Sequence, residues 1–195
     1  MVKRITIIEG HPDSSKVHFG HALVEAYAKG ANEAGHEVKR LSVAELDLPF
    51  LRSKEEWEAD TSSQPIRQSQ DAIAWADHLV VVYPMWHGTM PALLKAFFEQ
   101  VFRPGFAMSK DESGKMWKKQ LTGKTARIIV TMGMPALFYR WYFRAHSLKS
   151  LERNILAFCG IGPIKSTLIG MVENFDDNKI KQWMAKMNKL GQRAA

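Results

Sequence analysis

The segment from Val80 to Phe106, VVVYPMWHGTMPALLKAFFEQVFRPGF, constrains the fold more than any other part of the chain. An apolar run over 78–83 stops at Pro84 and gives way to a short loop, 85–89. Pro91 suits the first turn of a helix, where a missing N–H costs nothing. Leu94, Phe97, Phe98 and Val101 then recur at i, i+3, i+4 and i+7, the stripe of a helix lying on a sheet. The spacing predicts a helix over 89–102. A strand feeding a helix through a short loop sets that loop at the carboxyl edge of a parallel sheet, where open α/β folds bind ligands. Here the loop offers an indole plane (Trp86), an imidazole (His87), a residue that permits close approach (Gly88) and free helix amides. These groups suit a flat, anionic, heteroaromatic ligand.

The same alternation runs through the whole chain. Residues 3–8 (KRITII) read as a first strand ending at Glu9-Gly10. Residues 19–34 follow as a helix stopped by Gly35, with Phe19, Leu23, Tyr27, Gly30 and Ala34 near one face. A more polar strand, 37–43, suits a sheet edge, and 46–64 reads as irregular. A helix over 66–76 precedes the strand at 78–83. Residues 106–123 are predicted to be loop or hairpin, turning at Gly114. Strands at 125–132 and 164–169 flank a helix carrying Leu148, Leu151, Ile155, Phe158 and Cys159, and a helix over 180–190 closes the pattern. Five strands alternating with helices predict a doubly wound parallel α/β sheet. No repeat or linker divides the sequence, so one domain over 1–195 is expected.

Composition narrows the partners. No stretch of 18 apolar residues exists, so no membrane span is expected. The amino terminus, MVKRITIIEGHPD, reads as a first strand rather than a secretion signal. The single cysteine, Cys159, rules out an intramolecular disulfide and fits a reducing, cytoplasmic setting. Its apolar surroundings, NILAFCGIG, predict a structural thiol. The formal charge of +7 favours acidic small molecules, nucleic acid or anionic lipid. The basic residues are dispersed and no nucleic-acid motif accompanies them, which leaves a phosphorylated cofactor as the better partner.

Chemistry is expected on the loops 9–18, 84–89 and 133–146. In the first, EGHPDSSKVHF, the Ser14 and Ser15 hydroxyls near a helix start form an anion site or ordinary caps. Neither G-x-G-x-x-G nor G-x-x-x-x-G-K-[ST] is present. His18 and His21 stand three apart, but no cysteine or carboxylate completes a metal set. No G-x-S-x-G elbow supports a hydrolase, and Glu9 alone does not make a receiver-type magnesium site. The third loop, TMGMPALFYRWYFRAHSL, is aromatic and basic; Tyr139 and His146 share one side if it is continuously helical. Phe138, Trp141, Tyr142 and Phe143 are candidates for core, dimer surface or pocket wall.

Taken together, GHPD with HFGHAL, YPMWHGTMPALLKAFFEQVF with RPGFAM, and LTGKTARIIVTMG resemble the flavodoxin-like NAD(P)H:quinone oxidoreductases. That group includes quinone reductases, drug-activity modulators and ancillary subunits of potassium efflux systems. The resemblance spans nearly the whole chain and implies a flavodoxin-like five-stranded sheet of order 2-1-3-4-5. It implies that His11, Ser14, Ser15, His18 and Phe19 bind flavin phosphate and ribityl. Pro84, Met85, Trp86, His87 and Gly88 would hold the isoalloxazine edge, with Thr131, Met132 and Gly133 adding contacts. Tyr139 and His146 would serve the acceptor. The family's T-T-G-G reads T-M-G-M-P here, which reshapes the acceptor side.

The activity so implied is hydride transfer from NADPH or NADH through FMN (FAD is the alternative) to a quinone-like acceptor, in ping-pong order. A homodimer is implied as well. Two other readings stay open at this point: a flavin-bound regulatory subunit docked peripherally on a membrane transporter, and a one-electron flavodoxin.

Overall fold

The structure is a computed structural model that describes residues 1–61, 63–111 and 113–195. The chain opens with β1 (Arg4–Glu9), then α1 (Phe19–Glu33) and β2 (Glu37–Ser42). Gly35, at φ +79°, turns the chain out of α1 into β2, as expected of a helix-stopping glycine. After a 3₁₀ turn at Val43–Glu45 come α2 (Lys54–Glu58), α3 (Gln64–Trp75) and β3 (His78–Pro84). Next are α4 (Ala92–Val101), the antiparallel hairpin of β4 (Met108–Lys110) and β5 (Trp117–Lys119), and β6 (Thr125–Thr131). The chain continues through α5 (Ala136–Trp141) and α6 (His146–Lys149), the latter running into a π-helical stretch, Ser150–Ala157. It ends with β7 (Ile164–Ile169), a second 3₁₀ turn at Val172–Asn174, and α7 (Asp177–Gln192).

The five long strands are parallel and ordered β2-β1-β3-β6-β7. Ignoring the hairpin, this is the predicted 2-1-3-4-5. The central strand β3 is buried on both faces, and its side chains divide with period two. Leu79, Val81 and Tyr83 join the α3, α4 and π-helical side, where Leu94, Phe97, Phe98 and Leu151 pack. Val80 and Val82 join the α1 and α7 side with Leu23, Tyr27 and Met187. Two layers of helix thus cover one sheet.

On that second side the helices touch through glycine. A Cβ on Gly30 would lie 2.0 Å from the Asn188 carbonyl oxygen, and one on Gly191 would lie 2.0 Å from the Tyr27 oxygen. The backbones of α1 and α7 therefore meet directly, which only a residue without a side chain permits.

Two local expectations are corrected, and one left open is settled. The helix predicted over 89–102 begins at Ala92; Pro91 precedes it in an extended conformation (φ −55°, ψ 144°) because Thr89 is used to close the preceding turn. The 46–64 stretch is not wholly irregular, since Ser53 Oγ accepts the Glu56 amide hydrogen at 3.1 Å and starts α2. The buried Arg103 guanidinium anchors that segment, donating to the Glu56 and Ala59 carbonyls at 3.0 and 3.1 Å. Thirdly, 133–146 is not one helix: Arg144 (φ +51°) and Ala145 (φ +49°) break it before His146. Ser62, within the 46–64 stretch, lies outside the described residues.

Candidate functional site

Strand register brings the three loops to one edge. Glu9 at the end of β1 pairs with Val82, and Pro84 at the end of β3 pairs with Thr131 at the end of β6. The loops that follow must leave side by side. The second and third are tied directly, because the Met85 amide donates to the Thr131 carbonyl at 2.8 Å.

Residues 86–89 form a tight turn. The Trp86 amide donates to Thr89 O at 2.8 Å and the Thr89 amide returns a bond to Trp86 O at 2.9 Å. Both central residues are left-handed, His87 at φ +46° and Gly88 at φ +78°, the geometry of a mirror-image type I turn. Histidine is among the side chains that tolerate this region, and glycine is the usual second residue. Trp86 stands 48% exposed beside it, and His87 and Gly88 are exposed as well. Pro84 and Met85 are half-buried.

The first loop converges on the same rim. The Gly10 amide donates to Val82 O at 2.7 Å, and a Cβ there would lie 2.6 Å from Leu94 Cδ2, so the Leu94 side chain of α4 packs directly over this backbone. His11 then stacks on His18, with ring centroids 3.8 Å apart, and meets the Trp86 ring edge-on at 6.3 Å. His21 lies 5.3 Å from His11 and 5.4 Å from His18. Two carboxylates hold this trio. His18 Nε2 lies 2.8 Å from Asp13 Oδ2, and His21 Nε2 lies 3.3 Å from Glu9 Oε1. Burial, then the neighbouring His18, holds His11 below the usual imidazole range. Burial raises the Glu9 carboxyl, against the pull of His21. Hydrogen bonds from Ser15, then from His18, hold the Asp13 carboxyl well below the usual carboxylate range.

Neither serine caps the helix, and Ser15 is engaged by Asp13. Ser15 donates through its hydroxyl and its amide to Asp13 Oδ1 at 2.5 and 2.8 Å, while Ser14 is exposed. Helix α1 starts at Phe19, too far along the chain for either serine to cap. His18 is the cap residue instead, and His21 Nδ1 accepts the His18 amide hydrogen at 3.1 Å. The Phe19 ring packs edge-to-face on Phe175 at 5.6 Å.

On the third loop, Thr131 and Met132 are buried, and their carbonyls accept the Met85 amide (2.8 Å) and the Val172 amide (3.3 Å). Gly133 is the exposed member. Tyr139 is 1% exposed, with its hydroxyl turned inward to Ser147 Oγ (3.3 Å) and to the Leu148 amide (3.1 Å). His146 is exposed at the start of α6. Tyr139 and His146 therefore face different surroundings, the correction that follows from the break at 144–145. Phe138, Trp141, Tyr142 and Phe143 are all exposed, and Phe138 stacks on Tyr142 at 4.9 Å. Packing into the core is excluded for these four.

Comparison with known proteins fits this arrangement. A family model described as the flavodoxin-like fold matches residues 3–191. The chain belongs to that flavodoxin-like family. An uncharacterized NAD(P)H oxidoreductase of Haemophilus influenzae is 30% identical over 179 residues, covering 90% of this chain and 87% of that protein. An FMN-dependent NADH:quinone oxidoreductase of Nitratidesulfovibrio vulgaris is 29% identical over 187 residues, 85% of each chain. The structure of an NAD(P)H:quinone oxidoreductase from Methanothermobacter marburgensis superposes with a TM-score of 0.85 over the full length of both chains at 20% identity, a likeness of fold.

Within this flavodoxin-like frame the rim fits a flat ring with an anionic tail. An exposed indole and the 86–89 turn stand at one end, and three imidazoles with the start of α1 at the other. The residues that sequence reasoning missed are Glu9 and His21. Their signal was present: His18-x-x-His21 has the N-cap-to-N3 spacing of a capping box, which was weighed only as a metal pair. Among the described residues, no three His, Cys, Asp or Glu side chains converge as metal ligands. Nor, among them, is any helix long and apolar enough to cross a membrane. Cys159 is buried away from the rim, and its thiol is pushed up to about 12, chiefly by burial.

Proposed function

We propose that this protein is an FMN-dependent oxidoreductase that carries two electrons from NADH or NADPH to a quinone-class acceptor in ping-pong order. The observation that carries the reading is the meeting of three separate turns at one sheet edge, with the His11 ring 6.3 Å from the exposed Trp86 ring. Family membership and the names of the relatives from Haemophilus influenzae and Nitratidesulfovibrio vulgaris support it. FMN is preferred to FAD because the second relative is named for FMN.

Bound flavin would supply the redox chemistry, accepting hydride from the nicotinamide and releasing it to the acceptor. The chain supplies placement and polarity. Trp86 and the 84–88 backbone hold the ring edge, and the amides of His87, Gly88 and Gly133 favour negative charge on its polar side, each good donor contributing about 3 kcal/mol. His11, His18, the 14–15 turn and the Phe19 amide take the phosphate and ribityl. The exposed His146 imidazole donates a proton to the acceptor oxygen. Tyr139 acts through the α6 backbone that it holds, as a positioning residue.

The exposed wall of Phe138, Trp141, Tyr142 and Phe143 is the surface proposed for pairing two copies, in the cytoplasm. Sedimentation of the wild type beside Trp141→Ser tests the pairing. The function is tested by purifying the protein, identifying any flavin in its absorption spectrum, and following anaerobic bleaching by NADH and NADPH before a benzoquinone is added. A colourless protein that FMN does not saturate removes the proposal.

A further inference from the structure

We infer that the amino edge of the sheet carries a binding site for a small oxyanion of phosphate or sulfate size, seated between His78, Lys165 and Arg193. The inference is independent of the flavin reading. Strand β3 runs from His78 to Pro84 and sets this edge about 20 Å from the rim.

Strand register and period explain why these residues meet. In the parallel sheet His78 pairs with Ile5 on one side and Thr125 on the other, and Ala126 pairs with Ile164. Val80, Ile129 and Ile169 lie on the α1 and α7 side. Side chains alternate along a strand, so His78, Thr125, Arg127 and Lys165, each an even number of residues earlier, share that side. The end of α7 closes over them. The result is a cavity of about 140 Å³ lined by Lys3, His78, Thr125, Lys165, Arg193 and Ala195, among others.

Size and charge select the ligand. At about 30 Å³ for each water, the cavity holds roughly four or five water-sized atoms, which suits a tetrahedral oxyanion and is too small for a nucleotide or a flavin. Among the described residues, no Asp or Glu side chain pairs with Lys3, Lys165 or Arg193. Asp77, the acid next to His78 along the chain, is taken by Arg4 at 2.8 Å.

The floor is a buried imidazole with an unmet nitrogen. His78 is 2% exposed, its Nδ1 meets Thr125 Oγ1 at 2.6 Å, and its Nε2 has no partner in the protein. A buried polar atom left so is costly. With the Thr125 hydroxyl donating to Nδ1, the proton of the neutral ring lies on Nε2, and an oxyanion accepts it as a hydrogen bond. Beyond the effect of burial, Lys3, Arg127, Lys165 and His36 all act on this ring with the same, basic sign.

A plainer reading is that the cations only answer the carbonyl end of α7. That end carries about half a negative charge, and Lys3 and Arg127 already meet it, through Ala194 O at 3.3 Å and through Ala195 O. Lys165 and Arg193 are left over beside the unpaired nitrogen, and an oxyanion neutralises them.

The experiment follows the His78 ring proton by NMR, assigned through its loss in His78→Gln. Inorganic phosphate or sulfate is added near neutral pH at constant ionic strength. A saturable shift is expected with both oxyanions and none with chloride. Phosphate bound at the distant rim leaves this proton unmoved, which keeps the two sites apart. Lys165→Ala combined with Arg193→Ala, both at exposed positions, is expected to weaken the phosphate dissociation constant about tenfold. Lys165→Arg, which keeps the charge, should bind like the wild type. Should His78→Gln fail to fold, thermal melts give the reading instead: phosphate, referenced to chloride, raises the midpoint of the wild type more than that of the double variant. A shift that does not saturate, one that chloride reproduces, or equal phosphate responses of the wild type and the double variant overturn the site.

Discussion

The Tyr139 hydroxyl accepts the Leu148 amide hydrogen at 3.1 Å across the left-handed break at Arg144 and Ala145. That amide is the third of α6, one of the donors a helix start leaves without an internal partner. A side chain from one short helix thus caps the next. Tyr139→Phe is expected to leave a buried donor unpaired and to cost about 1–3 kcal/mol, read as a lower urea midpoint. Affinity for FMN should stay within about twofold, since the hydroxyl faces away from the rim. An unchanged midpoint would remove the capping role.

His146→Gln separates acceptor chemistry from cofactor binding. A general acid contributes roughly 10²–10⁴ in rate, so quinone reduction should fall by at least tenfold while bleaching by NADH and the FMN dissociation constant hold steady. Turnover equal to wild type with several quinones would take His146 out of the mechanism.

Trp86 stands half out of the protein, so its removal should leave the fold intact. Trp86→Ala is expected to change stability by no more than about 0.5 kcal/mol. Loss of ring contact with the flavin should weaken FMN by about three- to tenfold, the equivalent of ~0.5–1.5 kcal/mol. Equal quenching titrations for the two proteins would place the ring elsewhere.

Gly30→Ala tests the backbone contact of α1 with α7. The new methyl would sit 2.0 Å from the Asn188 oxygen, a main-chain atom that moves only if α7 moves. A loss of about 1–3 kcal/mol is expected from overpacking, visible in denaturant melts. Gly20→Ala is the control, because nothing lies within 4 Å of its added carbon. It should be neutral or stabilising in the flavin-free protein, by up to about 1 kcal/mol.

His78 gives the fold a dependence on acid. Burial is the main cause that lowers its imidazole to about 3, and Nδ1 meets the Thr125 hydroxyl at 2.6 Å. The unfolded chain binds this proton near pH 6.5 and the folded chain does not, so the unfolded state carries more protons between those values. Stability is therefore full above about pH 6.5 and falls as pH drops toward 3, by about 1.4 kcal/mol per unit for this one group. His78→Gln should flatten that part of the acid profile, measured as the urea midpoint between pH 4 and 7.

The middle of the sheet was legible because β3 and β6 are buried on both faces and announce themselves as apolar runs of Ile and Val. The rim was legible in Trp86–Gly88, where a left-handed pair needs a residue such as His and then Gly. What escaped was decided by distance in space rather than along the chain. Nothing local to Tyr139 says that its hydroxyl will meet Leu148, since that depends on where the chain kinks. The left-handed pair Arg144-Ala145 carries neither Gly nor Asn to mark it, so whether the 133–146 loop was continuously helical stayed open in the sequence. Helix α2 was hidden for a different reason: it buries no side chain, so it shows no apolar stripe, and only its Ser53 cap signals it.

Helix α5 gives its two sides to different tasks. Tyr139 belongs to the foundation, while Phe138 and Trp141 on the same six-residue segment belong to the façade. Changes on the outer side leave the footing untouched, so this face of the helix can be rewritten residue by residue while the fold beneath it is conserved.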